Sequence, residues 1–158
     1  MNPIVRAGVL LGVLCGAWMF VVGFTGWYRD EVMQNMFFLV VLIEIAVLVG
    51  GLRQTAATRG YGGQVGAGML ISIIAGVIIF GASILFTAVV FPDYFNELRA
   101  IQTEMLRHQG RGEEEIANMM AATAPMQTPV MNALTGFVAT IVTGLISSLI
   151  IAAFVRRK

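Results

Sequence analysis

The sequence predicts an all-α integral membrane protein with four transmembrane helices and an extracytoplasmic helical hairpin between helices three and four. Hydrophobic residues make up 58% of the 158 residues and charged residues only 12%, whereas about a quarter of a soluble domain is charged. Four apolar segments have about the 20 residues that cross roughly 30 Å of hydrocarbon as a helix. One long polar segment, residues 92–129, separates the last two.

The predicted spans are residues 4–24, 32–52, 65–91 and 130–155, and with the polar segment they form a single four-span domain, 1–158. Helices satisfy their own backbone hydrogen bonds in lipid, and no segment alternates like a barrel strand. Small residues recur at every fourth position in spans one, three and four, which lets helix backbones approach closely. These stripes favour packing within a four-helix bundle, and a face for oligomer contacts is the alternative.

Basic residues predict the orientation. Arg6, the loop that carries Arg53 and Arg59, and the basic residues 156–158 fall on one side of a four-span chain. Arginine and lysine are enriched on the cytoplasmic side of membranes, so both termini are expected in the cytoplasm. The polar segment 92–129 holds more acidic than basic residues and is expected outside.

The polar segment has the pattern of two helices. Phe95, Leu98 and Met105 are spaced to share one helix face. Residues 110–112, Gly-Arg-Gly, interrupt the pattern, and three glutamates at 113–115 suit the N-terminal turn of a second helix, where the helix dipole favours acids. The segment is therefore predicted to form a helical hairpin that lies on the outer membrane surface or caps the bundle.

Glu44 is the one acidic or basic residue in the middle of a predicted span. A charge there costs about 2.5–3.5 kcal/mol on insertion scales, so the side chain should face the bundle interior or water. It is either a proton or cation site on a transport path, or a neutral carboxyl bonded to a neighbouring helix. Candidate partners at matching depth are Ser72, Thr140, Thr143 and Ser147. The sequence favours the neutral carboxyl, because a proton relay usually needs several ionisable groups.

Other functional classes find little support in the sequence. A net charge of +1 without a basic cluster argues against binding to nucleic acid. The glycine-rich loop 59–68 lacks the preceding strand and the Lys-Ser/Thr pair of a phosphate-binding loop. His108 has no nearby cysteine or second histidine, and no His, Asp and Ser set suggests an active site. No enzyme activity, catalytic residue, cofactor or metal site is therefore predicted.

Several motifs resemble those of a known family. They are Gly50-Gly51-Leu52-Arg53, Pro92-Asp93-Tyr94-Phe95, Gly110-x-x-Glu113-Glu114-Glu115-Ile116, Pro129-Val130-Met131-Asn132-Ala133-Leu134, and Gly144-Leu145-Ile146-Ser147-Ser148-Leu149-Ile150. Over essentially its whole length the chain is similar to the bacterial four-transmembrane-helix domain-of-unknown-function family 4199. The resemblance implies the same four-span layout in a bacterial cytoplasmic (inner) membrane, and it brings no established activity.

Two functions are expected from these observations. The first is a structural or accessory component that acts in the lipid bilayer through helix packing and its outer hairpin, within a homo-oligomer or a larger membrane complex. The alternative is a small proton, cation or solute transporter, or a channel subunit, that uses Glu44.

Overall fold

The computed structural model describes residues 2–30 and 32–155, apart from the side chains of Gln34 and Phe37, and this part of the chain is all-α. Its helices are α1 (Pro3–Thr25), α2 (Leu39–Thr55), α3 (Tyr61–Leu85), α4 (Tyr94–His108), α5 (Glu113–Thr123) and α6 (Pro129–Phe154). A π-helical segment, Phe86–Val90, continues α3, and 3-10 turns occupy Trp27–Arg29, Met33–Phe38 and Ala124–Met126. Glu31 and the basic residues 156–158 lie outside the described residues.

Three helices in the described residues are long and apolar enough to cross a membrane: Pro3–Thr25, Tyr61–Val90 and Pro129–Phe154. They coincide with the first, third and fourth predicted spans. The chain is therefore a membrane protein, as its composition predicts. The second predicted span, residues 32–52, is wrong at its start. The α-helix in this region, α2, has 17 residues and begins only at Leu39.

The residues before α2 are not α-helical. Residues Met33–Phe38 form a 3-10 helix rather than the first turns of an α-helix. Asp30 Oδ1 accepts hydrogen bonds from the backbone of Val32 and Met33, and the indole of Trp18 donates to Met36 O at 3.0 Å. These tertiary and capping contacts hold the tighter turn, and a window of apolar residues does not reveal them.

Contacts between the long helices show their relative directions. Those between α1 and α3 advance together along both helices: Gly8 with Ile74, Gly12 with Ile78 and Gly16 with Ala82. Those between α3 and α6 advance in opposite senses: Gly68 with Ser148, Gly76 with Phe137 and Ser83 with Asn132. α2 also runs opposite to α3, because Glu44 contacts Ser72 and Thr55 contacts Gln64. α1 and α3 are thus parallel, and α2 and α6 are antiparallel to α3.

Glycines lie where the backbones of these helices come closest. A Cβ on Gly8 would lie 2.7 Å from Ile74 Cβ, and a Cβ on Gly68 would lie 2.7 Å from Ser148 Cβ. Real side chains do not approach so closely, so a methyl group at either position would push the helices apart. The predicted small-residue stripes of α1, α3 and α6 thus lie at contacts inside the bundle.

Helices α4 and α5 are joined by a tight turn at the predicted break. Gly110 has φ = 77°, a left-handed conformation that favours glycine. Its N–H bonds to Arg107 O at 2.9 Å, and the N–H of Arg111 bonds to Leu106 O at 3.1 Å. This is the hydrogen-bond pattern by which glycine commonly ends a helix. We call α4, this turn and α5 the α4–α5 pair, residues 94–123.

Candidate functional site

The carboxyl group of Glu44 is buried between α2, α3 and α6. The residue is 5% exposed, and Ser72 Oγ donates a hydrogen bond to Glu44 Oε1 over 3.4 Å. No other hydrogen bond to this carboxyl is present among the described residues. A Cβ on Gly144 would lie 2.9 Å from Glu44 Oε1 and would overlap the Ser72 hydroxyl. The lack of a side chain at Gly144 therefore leaves the space that the carboxyl and the hydroxyl occupy.

Glu44 also lines a cavity of about 280 Å³ between the four long helices. The other polar groups at its wall are Thr140, Thr143 and the thiol of Cys15, and Thr140 Oγ1 donates to Gly136 O at 2.9 Å. The remaining wall is apolar: Phe38, Val40, Val41, Ile79, Gly136 and Ala139. The site thus combines one acidic group with few hydroxyls in mostly apolar surroundings.

The structure brings most of the predicted site residues together. Ser72 contacts the carboxyl of Glu44 directly, and Thr140 and Thr143 line the same cavity. Ser147 is buried at 9% exposure but does not line it. Ser72, Thr140 and Thr143 thus lie around the carboxyl, whereas Ser147, four residues after Thr143, is one helical turn further along α6.

A second cavity, of about 260 Å³, lies beside the first toward the α4–α5 pair. Both are bordered by Gly136 and Ala139, and the second is lined one helical turn further along α1 and α3, by Met19 and Ser83 instead of Cys15 and Ile79. Aromatic side chains line it toward the α4–α5 pair: Tyr28, Phe86 and Tyr94. The two cavities are therefore stacked along the bundle, with Glu44 in the deeper one.

On the opposite side of Glu44 the bundle is tightly packed. Leu48, Leu52 and Ile71 are fully buried at 0% exposure. Gly68 and Ser148 meet at the same level, where a Cβ on the glycine would overlap the serine hydroxyl. The cavity that Glu44 lines has no wall residue at this level, so its open space lies on the other side of Glu44.

A family model described as protein of unknown function (DUF4199) matches residues 6–157. The match includes all the long helices, both cavities and the α4–α5 pair. The chain belongs to the DUF4199 family. The family resemblance inferred from the motifs is thereby confirmed. Comparisons with curated proteins and with solved structures returned no match.

This DUF4199 protein has a second buried polar cluster, which was not predicted from the sequence. Gln64 is fully buried at 0% exposure in α3. Thr55 Oγ1 donates to Gln64 Oε1 at 2.7 Å, and Gln64 Nε2 donates to Leu52 O at 3.0 Å. The cluster joins the C-terminal end of α2 to the start of α3. Its signal in the sequence was a glutamine within an otherwise small and apolar helix face.

The α4–α5 pair of the DUF4199 protein is attached to the end of α1 by charged hydrogen bonds. The Tyr28 hydroxyl and Arg29 Nη2 both donate to Glu97 Oε2, at 2.5 Å and 2.7 Å. These hydrogen bonds, the one from Tyr28 foremost, lower the pKa of the Glu97 carboxyl. Burial and the bond to Glu97 raise the pKa of Tyr28. Glu97 is therefore held as a charged anchor between α4 and the 3-10 turn after α1.

In the described residues, no group of three or more His, Cys, Asp or Glu side chains could hold a metal ion. The chemistry available around Glu44 is that of a single carboxyl. It can take up one proton or balance one positive charge. The hydroxyls of Ser72, Thr140 and Thr143 can add hydrogen bonds but no second charge.

Proposed function

We propose that this DUF4199 protein is a small four-span transporter or channel subunit that moves protons or small cations past Glu44, and that it is not an enzyme. The observation that carries this proposal is the cavity beside the buried carboxyl. From the sequence alone the neutral structural carboxyl was favoured, because no second ionisable group lies nearby. The stacked cavities reverse that order, since a carboxyl with a merely structural role needs no open space next to it.

Four spans are supported by helix direction. α1 and α3 are parallel and both are long enough to cross. A chain that crosses twice in the same direction must return between the two crossings. α2 has 17 residues, about 26 Å as an α-helix, and the six 3-10 residues Met33–Phe38 add roughly 12 Å. Together they exceed the hydrocarbon thickness of about 30 Å.

The same layout supports both termini in the cytoplasm. α6 is antiparallel to α3, so it ends on the side where α1 starts. Arg6, Arg53 and Arg59 are on that side, which is the cytoplasmic side under the positive-inside rule. The α4–α5 pair is then extracytoplasmic, at the outer face of a bacterial inner membrane. We call the side of the α4–α5 pair the outer side and the opposite one the inner side.

Orientation is tested with single cysteines on intact cells. In a Cys15→Ser background, we expect Gln109→Cys to react with a membrane-impermeant maleimide. Thr58→Cys, in the turn between α2 and α3, is expected to react only after lysis. The reverse pattern would place the α4–α5 pair inside and overturn the orientation. Equal labelling of both before lysis would also contradict it.

Transport is tested in proteoliposomes with an internal pH dye and an imposed membrane potential. We expect faster proton or cation flux than in empty liposomes, and loss of this excess with Glu44→Gln. Glu104→Gln is the matched control, because this α4 glutamate is exposed and pairs with its helix neighbours Arg107 and His108. Flux equal to that of empty liposomes for protons, sodium, potassium and small organic cations would refute the proposal.

An accessory role is the second candidate, and the attachment of the α4–α5 pair favours it. Glu97 fixes α4 to the end of α1, while Met119 and Met126 stay exposed at 39% and 60%. Methionine side chains adapt well to a contact surface. We expect cross-linking from this surface to capture a second copy or a larger complex in mild detergent. Recovery of uncross-linked monomer alone would remove the basis for this role.

A further inference from the structure

We propose that the two stacked cavities form one path by which small organic ammonium ions enter from the outer side and pair with Glu44. This deepens the proposed transport function and rests on it for its purpose, since it names the class of cation. Binding and movement remain separable, because a protein that binds such ions without moving them passes the cysteine-modification test and fails the flux test.

The carboxyl of Glu44 has no positively charged partner among the described residues. Glu44 receives a single hydrogen bond of 3.4 Å, from Ser72, within the described residues. None of the arginine, lysine or histidine residues that the structure describes lines either cavity. An unpaired buried carboxylate is costly, and a positive charge beside it stabilises its charged form. The deeper cavity is therefore a place where a cation gains a partner that the protein itself does not supply.

The chemistry of the wall selects an organic cation over a metal ion. Calcium takes six to eight oxygen ligands, and the deeper cavity offers one carboxyl and two threonine hydroxyls. Most of its wall is aliphatic, and Phe38 adds an aromatic ring. Aromatic faces and aliphatic groups suit alkylammonium groups. A volume of about 280 Å³ is just below the range of most ligand pockets, which are roughly 300–1,000 Å³, so the ion must be small.

The direction of entry follows from the packing around Glu44. The outer cavity shares Gly136 and Ala139 with the deeper one and reaches Tyr28 and Tyr94. On the inner side, Leu48 and Ile71 are fully buried, and neither of the two cavities has a wall residue at their level. A cation that reaches Glu44 in this conformation therefore comes from the outer side.

Cys15 is a built-in reporter, because this sole cysteine of the chain lines the deeper cavity with Glu44. We would measure its modification in the purified full-length protein with two reagents of similar size. One is 2-(trimethylammonium)ethyl methanethiosulfonate, itself an organic ammonium ion, and the other is the anionic 2-sulfonatoethyl methanethiosulfonate. Each forms a mixed disulfide with the thiol and releases methanesulfinate, and each rate is divided by that reagent's rate with a free thiol.

We expect the normalised rate of the cationic reagent to exceed that of the anionic one by roughly tenfold or more, because Glu44 attracts one and repels the other. Glu44→Gln should bring the ratio close to one, whereas Glu104→Gln should leave it unchanged. A ratio near one in the wild type, or a ratio that Glu44→Gln does not alter, would overturn the proposal. So would the absence of any modification by either reagent.

A competition measurement keeps the proposal testable if Glu44→Gln does not fold. In the wild type, benzyltrimethylammonium should slow modification of Cys15 by methyl methanethiosulfonate, a small uncharged reagent. Benzyl alcohol, which has the same ring without the charge, should slow it much less. Equal protection by both compounds, or by neither, would contradict a cation site.

Discussion

Gly68→Ala is the most direct test of how the bundle is assembled. Gly68 faces Ser148 where α3 and α6 are closest, and a Cβ there would lie 2.7 Å from Ser148 Cβ and overlap its hydroxyl. Neither atom can move freely, because Ser148 is fully buried. The added methyl must therefore separate the two helices or strain their side chains.

The expected magnitude combines two opposing terms. Overpacking a well-packed site costs about 1–3 kcal/mol, while alanine in place of glycine gains about 0.5–1 kcal/mol of helix stability. Gly68→Ala should thus lower the free energy of unfolding by roughly 1–2 kcal/mol. Gly66→Ala is the matched control, since a Cβ there meets nothing within 4 Å. It should raise stability by about 0.5–1 kcal/mol.

The free energies are measured by unfolding the purified protein with SDS in mixed micelles, followed by tryptophan fluorescence. The double variant Gly68→Ala with Ser148→Gly moves the side chain from α6 to α3. It should recover about 1 kcal/mol relative to the sum of the two single changes, as expected for residues in contact. Equal effects of Gly68→Ala and Gly66→Ala, or strict additivity in the double variant, would refute this account of the α3–α6 contact.

Three further changes probe polar groups with the same unfolding measurement or by NMR. Ser148→Ala should stabilise the protein by about 1 kcal/mol, because the Ser148 hydroxyl is buried without a hydrogen-bond partner in the described part of the chain. Destabilisation by this change would contradict that expectation. Thr55→Val should cost roughly 1–3 kcal/mol by leaving Gln64 Oε1 buried and unpaired, and an unchanged stability would contradict that. Tyr28→Phe should raise the pKa of Glu97 toward its ordinary 4.5, since the Tyr28 hydrogen bond lowers it. The stability that the charged Glu97 contributes is full above pH 4.5 and is lost as the pH falls through the lowered pKa. A pKa of Glu97 that Tyr28→Phe leaves unchanged in an NMR titration would contradict this hydrogen bond.

The sequence predicted those features of the fold that depend on residues close together in the chain. The apolar runs that became α1, α3 and α6 are visible in composition, because lipid demands an apolar helix whatever its neighbours are. The turn at Gly110 was predictable, since residues on both sides have helical spacing and a left-handed residue favours glycine. The start of α2 was not, because hydrogen bonds from Trp18 and to Asp30 shape the residues before Leu39.

Around the candidate site, the approximate depth of each residue along its helix could be counted from the sequence, but the rotation of each helix about its axis could not. The sequence by itself determined that this is an all-α membrane protein with one acidic residue in the middle of an apolar segment. Only the tertiary structure decided that Gly144 leaves room for Glu44 and Ser72, that Ser147 does not line the cavity, and that the open space extends toward the α4–α5 pair. Helical periodicity fixes which residues share a face. The partner of each face depends on how four helices rotate and pack against one another, which is set by contacts between residues distant in the chain.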